Sequence, residues 1–379
     1  MRIGINTRLF VKGKMDGIAW YAYEIIRRMV REHPEHEFVC FFDRPCPDEY
    51  VFGSNMRPVV LHPQARHPLL WHCFFEHSLK KALKKEKIDV FFSPDGFLCL
   101  HTDVPTVDII HDINFEHFPE YLRFSHRMYY RKYFPKFARR ADMLATVSEF
   151  CRQDIARTYR IPVEKIKVAG NAAAEDFFPI PETEKAGVRQ QWTGGKPYFV
   201  FVGTANPRKN IPNQLKAYEA FRQKGHEASL VFAGSRKYWS REMEQCLQEL
   251  SFREDIVFTG YLPTAELNRI LSTAAGLLYV SSFEGFGVPI LEAFATHTPV
   301  IAADATAMPE VAGNAALLVD PARIEDITRA MECLFCHPEK TEELIRKGME
   351  RLSRYSWDQS ARKLWEMLCE VQHTQNGIQ

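Results

Sequence analysis

The chain has 379 residues, 46% hydrophobic and 26% charged, enough for two buried cores, and no stretch approaches the length of a membrane span. Nine scattered cysteines, odd in number, suit a reducing compartment better than a disulfide framework. Net charge is only +1, but residues 1–170 hold 27 Lys+Arg against 21 Asp+Glu and the remainder 22 against 27, so an anionic partner is expected for the first half: phospholipid, lipid-linked phosphate or acidic glycan.

Met1-Arg2-Ile3-Gly4-Ile5-Asn6 begins a strand at once, leaving no room for a signal peptide. Further strands are predicted at 37–42, 88–93, 106–111, 143–147 and 166–169, after the first at 2–6. A helix over 18–32 carries Ile18, Tyr21, Ile25, Met29 and Glu32 at helical spacing. Asp16 and Gly17 stand just before it, where the aspartate is suited to cap the helix. His62, His67, His72 and His77 recur every five residues, a spacing that does not stack on one α-helical face, so no metal site is assigned. Lys80, Lys81, Lys84, Lys85 and Lys87 form a basic cluster. Val107 to Asp112 is a strand ending in His-Asp, and buried strand-end histidines are commonly structural. Phe124 to Arg140 interleaves cations, among them Arg127, Arg131 and Lys132, with aromatic residues on a predicted helix. Two readings fit it: a membrane or lipid-phosphate surface, or a solvated helix whose aromatic face is core. No nucleic-acid-binding motif accompanies it.

Residues 171–192, with Pro179, Pro181 and a charged run, read as an interdomain connector. A second alternation follows, with strands at 198–202, 229–233, 256–259, 276–281, 299–303 and 316–319, three of them ending in Gly203, Gly234 and Gly260. Gly203-Thr204-Ala205-Asn206-Pro207-Arg208-Lys209-Asn210 opens a helix with two adjacent cations, a place for a diphosphate or a solvated basic turn. Residues 284–292 read Glu-Gly-Phe-Gly-Val-Pro-Ile-Leu-Glu, a turn of bare backbone N–H groups with a carboxylate at each side. Carboxylates accept sugar or ribose hydroxyls, and flexible glycines admit a phosphate, so the pair suggests a nucleotide sugar. An ordinary βαβ turn and a Rossmann dinucleotide site, with Asp304 as its ribose acid, are the rivals. Ile290 replaces the third glycine of such a site, and Glu284 would press against its pyrophosphate. Cys333 and Cys336 read as helix packing. The last helix is expected over 358–372, after Ser356-Trp357. Two consecutive βαβ series imply an α/β protein of two doubly wound Rossmann-like domains facing across a cleft.

The 284–292 segment resembles the Glu-x7-Glu motif of retaining glycosyltransferases of family 4, which have the two-domain GT-B fold. Phe283 to Pro289, Pro299-Val300-Ile301 and Pro309 to Gly313 follow the family pattern in order, while Thr296-His297-Thr298 stands where the family often has Cys-Gly-Thr. The resemblance implies domains 1–170 for the acceptor and 171–355 for the nucleotide sugar, with 356–379 returning to the first. It implies that Glu292 binds the ribose hydroxyls and Glu284 those of the donor sugar. Backbone at Gly285, Phe286, Gly287 and Val288 would line sugar and phosphate, and the Tyr261-Leu262 turn would meet the base. Arg208 and Lys209, in the loop from Gly203, match the family's diphosphate-holding pair. Of the family's Gly-Gly loop only Gly17 carries over, since Asp16 takes the first position. His111 matches the family's His-Asp motif and would face the transferred sugar.

The activity so implied is transfer of a sugar from a nucleoside diphosphate, GDP-mannose first, to a glycan or lipid-linked acceptor of cell-surface polysaccharide or lipopolysaccharide, with retention. No Asp-x-Asp triplet occurs, so neither metal nor cofactor is expected, and no P-loop is present. A cytoplasmic enzyme peripheral to an anionic membrane is the expected setting, with no nucleic acid. A nucleotide-sugar epimerase or hydrolase of the same fold, and a non-catalytic binding protein, are the alternatives.

Overall fold

A computed structural model describes residues 1–376. The chain divides into two α/β units, Met1–Asn171 joined by the residues from Ser356 on, and Ala172–Tyr355. In the first, β1 (Arg2–Asn6), β2 (Glu37–Phe42), β3 (Met56–Val60), β4 (Val90–Ser93), β5 (Thr106–Ile109), β6 (Met143–Thr146) and β7 (Ile166–Val168) form one parallel sheet. Its order is β3-β2-β1-β4-β5-β6-β7. Helices cover both faces, so the inner strands are continuous apolar runs: Phe38 to Phe42 are all buried. Asp16 caps the Gly17–Glu32 helix, accepting from the Ala19 N–H at 3.0 Å. The terminal helix, Trp357–Asn376, packs on that helix, with Trp357 edge-on to Tyr21 at 5.6 Å and Asp358 accepting from Arg28 Nε at 2.6 Å.

The second unit contains β8 (Tyr198–Val202), β9 (Ser229–Ala233), β10 (Ile256–Gly260), β11 (Gly276–Tyr279), β12 (Val300–Ala303) and β13 (Ala316–Val319), parallel in the order β10-β9-β8-β11-β12-β13.

Several expectations need correction. The 171–192 connector contains most of a helix, Glu182–Thr193, that belongs to the second unit. Pro181 stands at its N-cap, Glu182 and Glu184 favour its positive end, Val188 is fully buried, and Gly194 closes it in the left-handed region. The prolines that suggested a break mark its start. Strand β3 was not foreseen because Arg57 and Pro58 interrupt its pattern; it is an edge strand, where a missing N–H is tolerated. His111 lies two residues beyond β5 rather than at the end of a longer strand. The histidine spacing argument also fails at one pair. Phe74–Leu79 is a π-helical segment between the Pro68–Cys73 and Lys80–Lys85 helices, and its wider turn brings the His72 and His77 rings to 6.0 Å, edge-on.

Candidate active site

In the second sheet the strand order reverses beside β8, so the chain leaves β8 and β11 in opposite directions. The crevice this opens at their carboxyl ends is where doubly wound sheets bind ligands. Gly203 and Gly234 meet back to back: a Cβ on Gly234, whose φ is +147°, would lie 2.1 Å from the Gly203 carbonyl oxygen. Only glycine allows that approach. The loop then makes a 3-10 turn, Pro207–Lys209. Asn210 anchors it by donating to the Val280 carbonyl at 3.1 Å and the Pro321 carbonyl at 2.7 Å.

That anchoring sets Arg208 and Lys209 on Glu284. Arg208 Nη1 donates to Glu284 Oε2 at 2.8 Å and to the Phe283 carbonyl at 2.9 Å. Lys209 Nζ donates to Glu284 Oε1 at 2.5 Å and to Tyr279 Oη at 3.2 Å. Glu284 is 6% exposed and Lys209 7%. Burial pushes the Glu284 carboxyl up, but the Lys209 and Arg208 charges outweigh it and hold the group at about 2. Burial, then the Glu284 charge, keeps the Tyr279 hydroxyl protonated. The site therefore brings two cations and one carboxylate into direct contact at the crevice.

Glu292 sits on the Val288–Ala295 helix, half-buried, and its carboxyl has no hydrogen-bond partner among the described residues. Burial pushes it up to about 7. Gly287, with φ +107°, turns the chain into this helix. Gly285 is buried, and the buried Phe286 ring turns to Tyr355, edge-on at 5.6 Å, so what these two offer a ligand is backbone. Val288 is half-buried at the helix start. Tyr261, 81% exposed, follows β10 with Leu262, and β9 separates β10 from β8. The structure thus joins Arg208, Lys209 and Glu284 directly, and leaves Tyr261 outside that cluster.

In the first unit the order reverses beside β1, and the loops after β1, β4 and β5 carry the polar groups. Gly17 is exposed at the helix start. His111 Nε2 lies 2.9 Å from the Pro94 carbonyl, which can only accept, so Nε2 carries the proton and Nδ1 the lone pair. Burial lowers its pKa and keeps the imidazole neutral. Beside it is a buried network that the sequence reading missed. Asn6 donates to Ser93 at 3.0 Å and Asp95 at 2.9 Å, and Arg8 pairs with Asp95 at 2.8 Å while lying 4.2 Å over the Phe97 ring. Asp108 is fully buried, and burial raises its carboxyl well above the usual range. The polar Ser93-Pro94-Asp95-Gly96 run after an apolar strand was the available signal.

The Phe124–Arg140 helix divides between its two readings. Tyr129, Phe134 and Phe137 are core, while Phe124 and Met128 are exposed, 69% and 54%. Arg127 lies 5.5 Å over the Phe124 ring and Lys132 lies 5.3 Å over Tyr133; Arg131 is 3.3 Å from Glu116. Among the described residues no helix is long and apolar enough to cross a membrane, and no group of three or more metal-ligating side chains occurs.

Residues 15–176 match the family Glycosyltransferase Family 4, and residues 183–351 match Glycosyl transferases group 1. O-antigen chain mannosyltransferase B of Escherichia coli is 27% identical over 363 residues, spanning 92% of this chain and 94% of its own. O-antigen chain mannosyltransferase RfbU of Salmonella typhimurium is 27% identical over 308 residues, 80% of each. The Anabaena protein HepE, solved with UDP-glucose, superposes with a TM-score of 0.76 at 16% identity, over 98% of this chain and 100% of that one. At that identity the likeness shows the fold, which is GT-B.

Proposed function

Since this chain belongs to the family 4 glycosyltransferases, we propose that it moves a sugar from a nucleoside diphosphate to a glycan or lipid-linked acceptor, with retention of anomeric configuration. The O-antigen mannosyltransferases among its relatives make GDP-mannose the first donor to test, and O-antigen-type polysaccharide the setting. The observation that carries the reading is the Arg208–Lys209–Glu284 cluster at the switch-point crevice.

The donor's ribose hydroxyls donate to Glu292, whose carboxyl has no competing partner among the described residues. The diphosphate accepts from Arg208 and Lys209 through charge-assisted hydrogen bonds, and Glu284 accepts from hydroxyls of the donor sugar with its remaining lone pairs. As the bond from the anomeric carbon to the phosphate oxygen breaks, negative charge grows on that oxygen, and fixed cations stabilise it without a metal. The sugar becomes oxocarbenium-like. The acceptor oxygen attacks from the same face, and its proton passes to the departing phosphate, so atoms and charge balance with no enzyme nucleophile. His111 offers Nδ1 as a neutral acceptor to a sugar hydroxyl. In the first unit, the cations beside exposed Phe124 and Met128 suit an anionic acceptor or membrane surface.

Calorimetry against a panel of nucleotide sugars tests the donor half, with EDTA present throughout. At least one donor should bind, and Arg208→Ala should weaken it by about 1.5–3 kcal/mol, the worth of a charge-assisted hydrogen bond. Binding that requires added magnesium or manganese would overturn the metal-free assignment.

A further inference from the structure

The first unit contains a groove of about 770 Å3 where the Pro68–Cys73 helix, the π-helical Phe74–Leu79 segment and the Lys80–Lys85 helix approach His101. Lys80, Lys81, Lys84 and Lys85 line it, all exposed. None has an ion-pair or hydrogen-bond partner among the described residues, although cations elsewhere, such as Arg57 and Lys196, are paired. Pairs four apart on a helix face each other and repel, so this concentration opposes the helix that carries it.

Two further features point the same way. The π segment places His72 beside His77 at the groove, and such segments occur often at functional sites because their wider turn is otherwise unfavourable. The one carboxylate in the lining, Glu76, is already engaged. It accepts from the Leu100 N–H at 2.7 Å and pairs with His101 Nδ1 at 2.6 Å, and at one negative charge against four lysines it leaves the groove positive. The His72 ring also meets Tyr133 at 5.9 Å, over which Lys132 and Lys136 stand, so the positive surface continues along the neighbouring helix.

We propose that this groove is a second anion site, for a phosphate or diphosphate group, distinct from the donor diphosphate site. Mobile ammonium groups act on phosphoryl oxygens as point charges, and several of them around a concavity suit a multiply charged tetrahedral anion better than a single carboxylate. A phospholipid headgroup and a free phosphate ester present the same chemistry. All the lining residues lie in the first unit, and the assignment does not rest on the donor reading.

The test is lysine footprinting on the full chain: acetylation of the four lysines, read by peptide mass spectrometry. Probes are inorganic pyrophosphate, vesicles of phosphatidylcholine alone, and vesicles of phosphatidylcholine with equimolar phosphatidylglycerol. Pyrophosphate or the mixed vesicles should slow modification about threefold or more beyond sodium chloride at matched ionic strength. Protection by pyrophosphate alone identifies a soluble ligand; by the mixed vesicles alone, a lipid headgroup; by both, either source. In the Lys81→Ser/Lys85→Ser variant, protection of Lys80 and Lys84 should disappear while nucleoside diphosphate affinity is unchanged. Protection no greater than that given by salt, equal protection by phosphatidylcholine alone, or none at all would overturn the proposal. A loss of nucleoside diphosphate affinity in that variant would also overturn it, because the groove would then not be distinct from the donor site.

Discussion

Two glutamates eight residues apart end in opposite surroundings. Glu284, between Arg208 and Lys209, is held at about 2; Glu292, with no partner among the described residues, is pushed by burial up to about 7. Glu292→Ala should weaken free nucleoside diphosphate and donor alike, roughly ten- to a hundredfold, because both share the ribose. Glu284→Ala leaves the ribose partner and both cations in place, so nucleoside diphosphate affinity should stay nearly intact while donor turnover falls. Equal affinity losses in calorimetry would refute that division. On the proposed ribose role, ionised Glu292 would accept from both hydroxyls, so affinity should climb as pH rises through about 7, and Glu292→Gln should remove that part of the profile. The depressed Glu284 group acts on stability, in the same direction with pH but in a lower window. Its contribution, about 3 kcal/mol, is present above the ordinary 4.5 and is lost as pH falls through about 2. Acid unfolding of wild type against Glu284→Gln measures it. Both glutamates and the Arg-Lys pair were legible in the sequence because each lies in a short ordered motif. The Asn6–Ser93–Asp95 network was not, since its partners are 87 and 89 residues apart.

At the scale of elements, apolar runs located the inner strands, because parallel strands covered on both faces leave little room for polar residues. What escaped were elements with mixed signals. β3 carries Arg57 and Pro58, and the Glu182–Thr193 helix follows two prolines. The π segment escaped because a five-residue histidine spacing has no meaning at 3.6 residues per turn. The helix reading of 182–193 has a direct check at Gly187, where an added Cβ meets nothing within 4 Å. Gly187→Ala should stabilise the protein by up to about 1 kcal/mol, since alanine loses less entropy in a helix. A neutral or lower melting temperature would return the segment to connector status.

Across the whole molecule, charge and chemistry are segregated by unit. The Arg208–Lys209–Glu284 cluster lies within Ala172–Tyr355, whereas the cationic excess lies in residues 1–170. Substituting Arg127, Arg131 and Lys132 with Ser should therefore raise the acceptor KM or abolish association with anionic vesicles, leaving donor affinity unchanged. An unchanged KM and unchanged vesicle binding would assign that helix to packing alone. The central claim is group transfer, and radiolabelled donor tests it most directly. GDP-mannose labelled in the sugar should pass its label to a lipid-linked or oligosaccharide acceptor in an extract, releasing GDP, with the product linkage retaining the donor's anomeric configuration. Arg208→Ala should remove the transfer. Label appearing only as free sugar, at the same rate with and without acceptor, or a product of inverted configuration, would contradict the account.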